Sequence, residues 1–292
     1  MTDAPSISLP SSAADPTVLP SIAILGAGAM GRAVLSGLLA PGVSVSGGVR
    51  VTNRSAEKAA SLAELPGVTA FATSLDATAN RRAIEGAAIV LVAVKPAMVP
   101  ELLAEIADAL EPGTIVVSVA AGVTVATFEK LLPASVAVLR SMPNTPAVVC
   151  RAVTGLSAGT RSTPDQLALV RRVFETVGTV VEVPESQLDA LSTISGSGPA
   201  YVFLLIEALT AAAEAKGFTP SQAAELVNGT FLGSAELLAA SPLSPRELRR
   251  QVTSPKGTTE RAIAVLETAG LPALFAEATD AALARARELA AG

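Results

Sequence analysis

The feature that most constrains this chain is a glycine pattern placed directly after a short apolar run. Ile22-Ala23-Ile24-Leu25 reads as a buried parallel strand, and Gly26, Gly28 and Gly31 follow at G-x-G-x-x-G spacing. Arg32 to Leu39 then reads as a helix. Gly26 permits the tight strand-to-helix turn, Gly28 lets the backbone approach a pyrophosphate, and Gly31 lets helix and strand pack closely. The amides and dipole at the start of such a helix favour an anion. An ordinary glycine turn has the same spacing, so the strand before it and the helix after it carry the weight.

The next apolar strand, Val49 to Thr52, ends in Asn53-Arg54-Ser55, where a dinucleotide fold reads the adenosine ribose. An acidic residue there would accept from a 2′-hydroxyl, but none is present. Arg54 suits the 2′-phosphate of NADP instead, or is simply a solvated loop residue. Lys58, one turn on, could add charge there or be a surface residue. Further strands are expected at Val68–Ala72, Ile89–Val94, Ile115–Val119, Val136–Leu139, Gly155–Ala158 and Thr179–Val183. Their ends carry Lys95-Pro96, Ala120-Ala121-Gly122 and a stiff loop at Arg140–Ala147 able to offer amide and hydroxyl groups. Lys95 invites an acid or Schiff-base role, against which stands a role in shaping the crevice. Alternating strands and helices over 21–183 predict an α/β domain with a Rossmann-type doubly wound parallel sheet.

From Glu185 the strand-like runs stop, and long alanine-rich helices follow. The expected division is a disordered tail at 1–20, a nucleotide-binding domain at 21–183 and an all-helical domain at 184–292. Several of these helices read apolar nearly all round and so need partners on more than one side, which points to a dimer. Between two of them lies Thr253-Ser254-Pro255-Lys256-Gly257-Thr258-Thr259. Its hydroxyls and amides at a helix start fit a carboxylate equally as well as an ordinary capping loop.

There is no histidine, which excludes a Ser-His-Asp triad and a histidine-ligated metal. Cys150 is the one cysteine; it cannot form an internal disulfide, fits a cytoplasmic setting, and is expected in the core. A net charge of -5 argues against a general nucleic-acid binder. No apolar run reaches the ~18 residues of a membrane span.

Taken together, the segments GAGAMG (26–31), NRS (53–55), AVKP (93–96), AAGV (120–123), MPNTPA (142–147), SGSGPAY (195–201) and SPKGTT (254–259) resemble the pyrroline-5-carboxylate reductase family. The resemblance implies hydride transfer from NADPH (NADH at lower affinity) to (S)-1-pyrroline-5-carboxylate, giving L-proline, in a homodimer or decamer. It implies cofactor contacts at Leu25, Gly26, Ala27, Gly28, Ala29, Met30, Asn53, Arg54, Ser55, Asn80, Ala93, Val94, Lys95, Pro96, Ala120, Ala121 and Gln251. It implies substrate contacts at Glu185, Ser254, Gly257, Thr258 and Thr259, with Thr259 the candidate hydrogen-bond partner of the ring nitrogen. Nucleotide turn and hydroxyl-bearing turn are then expected to face one cleft. The family usually has glycine where Lys256 stands, and a positive φ there would cost a lysine ~1 kcal/mol.

Overall fold

The computed structural model describes residues 16–291, with side chains to 288. It divides into two units, one taking the chain to Ser197 together with the last turns from Ala281, the other taking Gly198–Asp280.

In the first unit the elements run β1 (Thr17–Leu19), β2 (Ile22–Leu25), α1 (Ala29–Leu38), β3 (Val43–Val45), β4 (Val49–Asn53), α2 (Ala56–Ala63), β5 (Val68–Ala72) and α3 (Ala79–Ile84). They continue with β6 (Ile89–Val92), α4 (Val99–Ile106), β7 (Ile115–Ser118), α5 (Val125–Leu131), β8 (Ala137–Met142), β9 (Ala152–Ala158), α6 (Pro164–Glu175), β10 (Gly178–Glu182) and α7 (Glu185–Leu191). Eight strands form one sheet in the order β10-β9-β8-β7-β6-β2-β4-β5, and β1 pairs with β3 beside it. β2, β6 and β7 are buried at every position, because helices cover both faces. Strand alternation divides the core into two layers. Ile22, Ile24, Ile89 and Leu91 pack with Val34, Leu35 and Phe174 in one. Ala23, Leu25, Val90 and Val92 pack with Leu103, Ile106 and Phe128 in the other.

The sheet departs from the all-parallel expectation at one edge. β9 runs antiparallel to β8, and β10 is parallel to β9. The chain leaves β8 through a tight 3-10 turn, Thr145–Val149, with no crossover helix, so it returns in the opposite sense. Cys150 closes that turn at φ 55 and is exposed, which corrects its expected place in the core. Asn144 of this stiff loop turns its amide inward. Its side chain is buried, donating to the Ser195 carbonyl at 2.9 Å and accepting from the Val153 amide at 2.9 Å.

Both ends of this unit carry contacts that tie them to the sheet. Part of the supposed tail is β1, where Leu19 is buried and the Val18 carbonyl accepts from Arg172 at 2.8 Å; residues 1–15 of that tail lie outside the described residues. At the other end α7 remains on the sheet. Leu188 is buried, and the buried Arg140 guanidinium pairs with Asp189 at 2.7 Å and Glu185 at 3.4 Å. A π-helical turn, Ser192–Gly196, follows α7.

The second unit is helical: α8 (Gly198–Glu214), α9 (Pro220–Ala240), α10 (Pro245–Gln251), α11 (Thr258–Glu267) and the greater part of α12 (Leu271–Ala291). Thr219 and Ser244 start α9 and α10 through capping boxes with Gln222 and Glu247. Among its described residues only Ala223 and Val227 are buried, while Phe203, Leu204 and Phe275 are exposed. Within the helical run Glu185–Glu214 one 18-residue window reaches a mean hydropathy of 1.3, long and apolar enough by length and composition to cross a bilayer.

Candidate active site

The glycine turn is built as its spacing implies. Gly26 adopts φ 93, and a Cβ there would come within 2.8 Å of Val94 Cγ1. A Cβ on Gly31 would stand 2.6 Å from the Gly26 carbonyl oxygen, so that glycine is what lets α1 close onto the turn. Gly28 is different: a Cβ would meet nothing within 4 Å, so its backbone borders open space. Gly28 caps α1, and no side chain bonds the first amides of that helix. The turn is held from β4, as Thr52 Oγ1 accepts from the Gly26 amide at 3.1 Å and Asn53 Nδ2 donates to the Ala27 carbonyl at 2.8 Å. Asn53 Oδ1 also accepts from the Ser55 amide, so this asparagine shapes the turn.

Open space beside Gly28 belongs to a crevice of about 560 Å3. Gly26, Gly28, Asn53, Arg54, Ser55, Asn80, Ala93, Val94 and Lys95 line it, all of them expected cofactor contacts. Leu25 and Ala27 are buried behind the turn, as is Ala120 beyond β7, whereas Ala121 is exposed. Ala29 and Pro96 adjoin the wall through Gly28 and Lys95, whereas neither Met30 nor its chain neighbours line it. Lys58 is exposed and lines the crevice as well, in keeping with both readings of it. Missed altogether were Thr73, Ala77, Met98, Glu101, Leu102 and Glu105. Glu101, Leu102 and Glu105 share one face of α4, with Met98 at its cap, at i, i+3, i+4 and i+7 counted from Met98, and that spacing was the available signal. Lys95, Arg54 and Lys58 give the crevice cationic groups suited to a polyanion, and Gly28 leaves room for it, so the residues present fit a phosphorylated dinucleotide.

Glu185 lies in the first unit. Its carboxylate accepts from the Val125 amide at 2.7 Å, at the start of α5, and pairs with Arg140. The other expected substrate residues, with Gln251, lie in the helical unit. There α11 begins at Thr258 with Gly257 as its cap, and no side chain fills that cap. A Cβ on Gly257 would run into Ser254 Oγ and its carbonyl, so glycine is required for the loop to fold over Ser254. Lys256 takes φ 59, and its amide donates to Glu260 Oε2 at 2.9 Å. The loop therefore keeps the conformation of a glycine at a position where this chain has lysine.

Residues 185–289 match the family model described as pyrroline-5-carboxylate reductase dimerisation, and residues 21–122 match that described as NADP oxidoreductase, coenzyme F420-dependent. A pyrroline-5-carboxylate reductase of Corynebacterium melassecola is 38% identical over 272 residues, covering 92% of this chain and 98% of that protein. One from Mycobacterium tuberculosis (strain ATCC 25618 / H37Rv) is 40% identical over 291 residues, with 92% and 96% covered. The chain belongs to the pyrroline-5-carboxylate reductase family. A solved pyrroline-5-carboxylate reductase from Coxiella burnetii superimposes with a TM-score of 0.85 at 40% identity, over 92% of this chain and 97% of that one. As a pyrroline-5-carboxylate reductase, the chain is an NADP-dependent oxidoreductase that reduces 1-pyrroline-5-carboxylate to proline, the last step of proline biosynthesis. The dimerisation match covers the helices whose apolar faces are exposed in the single chain.

Proposed function

We propose that NADPH is held along the crevice, its 2′-phosphate by Arg54, Ser55 and Lys58 and its pyrophosphate by the amides of the Gly26–Met30 turn. The observation that carries this reading is the open space at Gly28 within the same crevice as Arg54. Ala93–Pro96 and Ala120-Ala121 take the remainder of the cofactor, with NADH bound more weakly because it has nothing to offer Arg54. When bound, the cofactor supplies the hydride, and the protein supplies orientation.

The Ser254–Thr259 loop holds the substrate carboxylate through the Ser254 hydroxyl and the amides of Gly257, Thr258 and Thr259, aided by the positive end of α11. Thr259 donates to or accepts from the ring nitrogen and so orients the imine. Glu185 and Gln251 act close to the nicotinamide and substrate, Glu185 being anchored for this by Val125 and Arg140. The enzyme works as a homodimer, or as a decamer built from dimers, in the cytoplasm, on a small imino acid and without nucleic acid or membrane. The free Cys150 and the dimerisation match support this.

Arg54→Ala is expected to raise the Kd for NADPH at least tenfold, as loss of charge-assisted hydrogen bonds worth about 1.5–3 kcal/mol each implies, while leaving NADH nearly untouched. Thr259→Ala is expected to lower kcat more than NADPH affinity. Equal losses for both nucleotides in the first variant, or full turnover in the second, would overturn these assignments.

A further inference from the structure

We infer that Glu105, on α4, is a positioning residue for the cofactor: it holds the Asn80 side-chain amide in one orientation at the crevice wall. The inference rests on the reading of the crevice as the NADPH site. Glu105 Oε2 accepts from Asn80 Nδ2 at 2.9 Å, and both residues line the crevice. An ionised carboxylate can only accept hydrogen bonds. Asn80 must therefore turn its amino end to Glu105. A flipped amide would set two acceptor oxygens against each other. One amide proton and the carbonyl oxygen of Asn80 remain for other partners, and their placement is decided from α4.

Two further observations separate this role from a merely structural one. The second carboxylate oxygen, Glu105 Oε1, is buried and has no hydrogen-bond partner. A half-satisfied buried carboxylate costs stability, so the side chain is a poor device for holding the fold together. The clamp between α3 and α4 is supplied elsewhere, by Arg81, whose guanidinium donates to the Glu105 backbone carbonyl at 2.8 Å and pairs with Asp108. That clamp survives any change of the Glu105 side chain.

The test is calorimetric titration of the full-length protein with NADP+, alongside thermal unfolding without nucleotide, for Glu105→Leu, Asn80→Ala and the double variant. Glu105→Leu is expected to unfold no lower than the parent yet to bind NADP+ about tenfold more weakly, with the kinetic loss in KM for NADPH rather than in kcat. Asn80→Ala should lose a similar factor, and the double variant should lose little more than either, because the two residues act as one unit. Parent-like binding by Glu105→Leu, or fully additive losses, would overturn the positioning role while the crevice assignment stood. If Asn80→Ala and Arg54→Ala both bind as the parent does, the crevice assignment itself falls. Should Glu105→Leu lower the unfolding temperature and the affinity together, Glu105→Gln decides. It keeps the size but allows the amide to flip, and parent-like affinity in it counts against the proposal.

Discussion

Lys256 occupies a backbone conformation that favours glycine, at φ 59, in the loop that leads into α11. Its replacement by glycine is expected to stabilise the chain by about 1 kcal/mol, read as a shift of the urea midpoint. The glycines of the nucleotide turn form the complementary case, because the structure separates their roles by space. Gly28→Val adds atoms where nothing lies within 4 Å, so the unfolding temperature should hold while NADPH binding falls at least tenfold. Gly31→Ala forces a Cβ to 2.6 Å from the Gly26 carbonyl, and overpacking of this kind costs about 1–3 kcal/mol, so stability should fall along with binding. These glycines were legible from spacing alone, since each is demanded by one backbone constraint. Cys150 and Asn144 were not. Whether a small or polar side chain is buried in a turn depends on what the turn packs against, and no local pattern records that.

Helices that begin with Thr-Pro or Ser-Pro were legible almost to the residue, as α9 and α10 show, because hydroxyl cap, proline and the Gln or Glu at the third helical position all act locally. Strand direction was not legible. Periodicity reports which side chains are buried, and β9 reads the same whether it runs with β8 or against it. The same limit hid the attachment of α7, which depends on Arg140 reaching Asp189 and Glu185 from β8, 49 and 45 residues away. Breaking a fully buried ion pair costs about 3–5 kcal/mol. Here the two carboxylates remain 32% and 31% exposed, so Arg140→Met is expected to cost nearer ~2 kcal/mol by denaturant unfolding. Loss of activity should accompany it, because Glu185 loses one of its two anchors.

For the molecule as a whole, the helical unit carries too little interior to stand by itself. Ala223 and Val227 are its only buried residues among those described, while Phe203, Leu204 and Leu232 lie at 60%, 64% and 62% exposure. Tyr201 and Phe275 meet edge to face at 6.1 Å, yet Phe275 is still exposed. The match to a dimerisation family over 185–289 explains this deficit. Phe203→Asp should therefore shift the sedimenting species toward monomer and make the unfolding temperature depend on protein concentration. A variant that stays dimeric would place the interface on other faces.

The bare helices also set a condition on how the enzyme is made in the cell. A chain leaving the ribosome has a finished sheet but a greasy second half, and that half becomes safe only on collision with a sister chain. At low expression the wait is long, and a helix as apolar and exposed as α8 has aggregates as a rival host. Yield should consequently track how quickly sister chains meet, and messages translated in close succession would give more active reductase than the same number scattered through the cell.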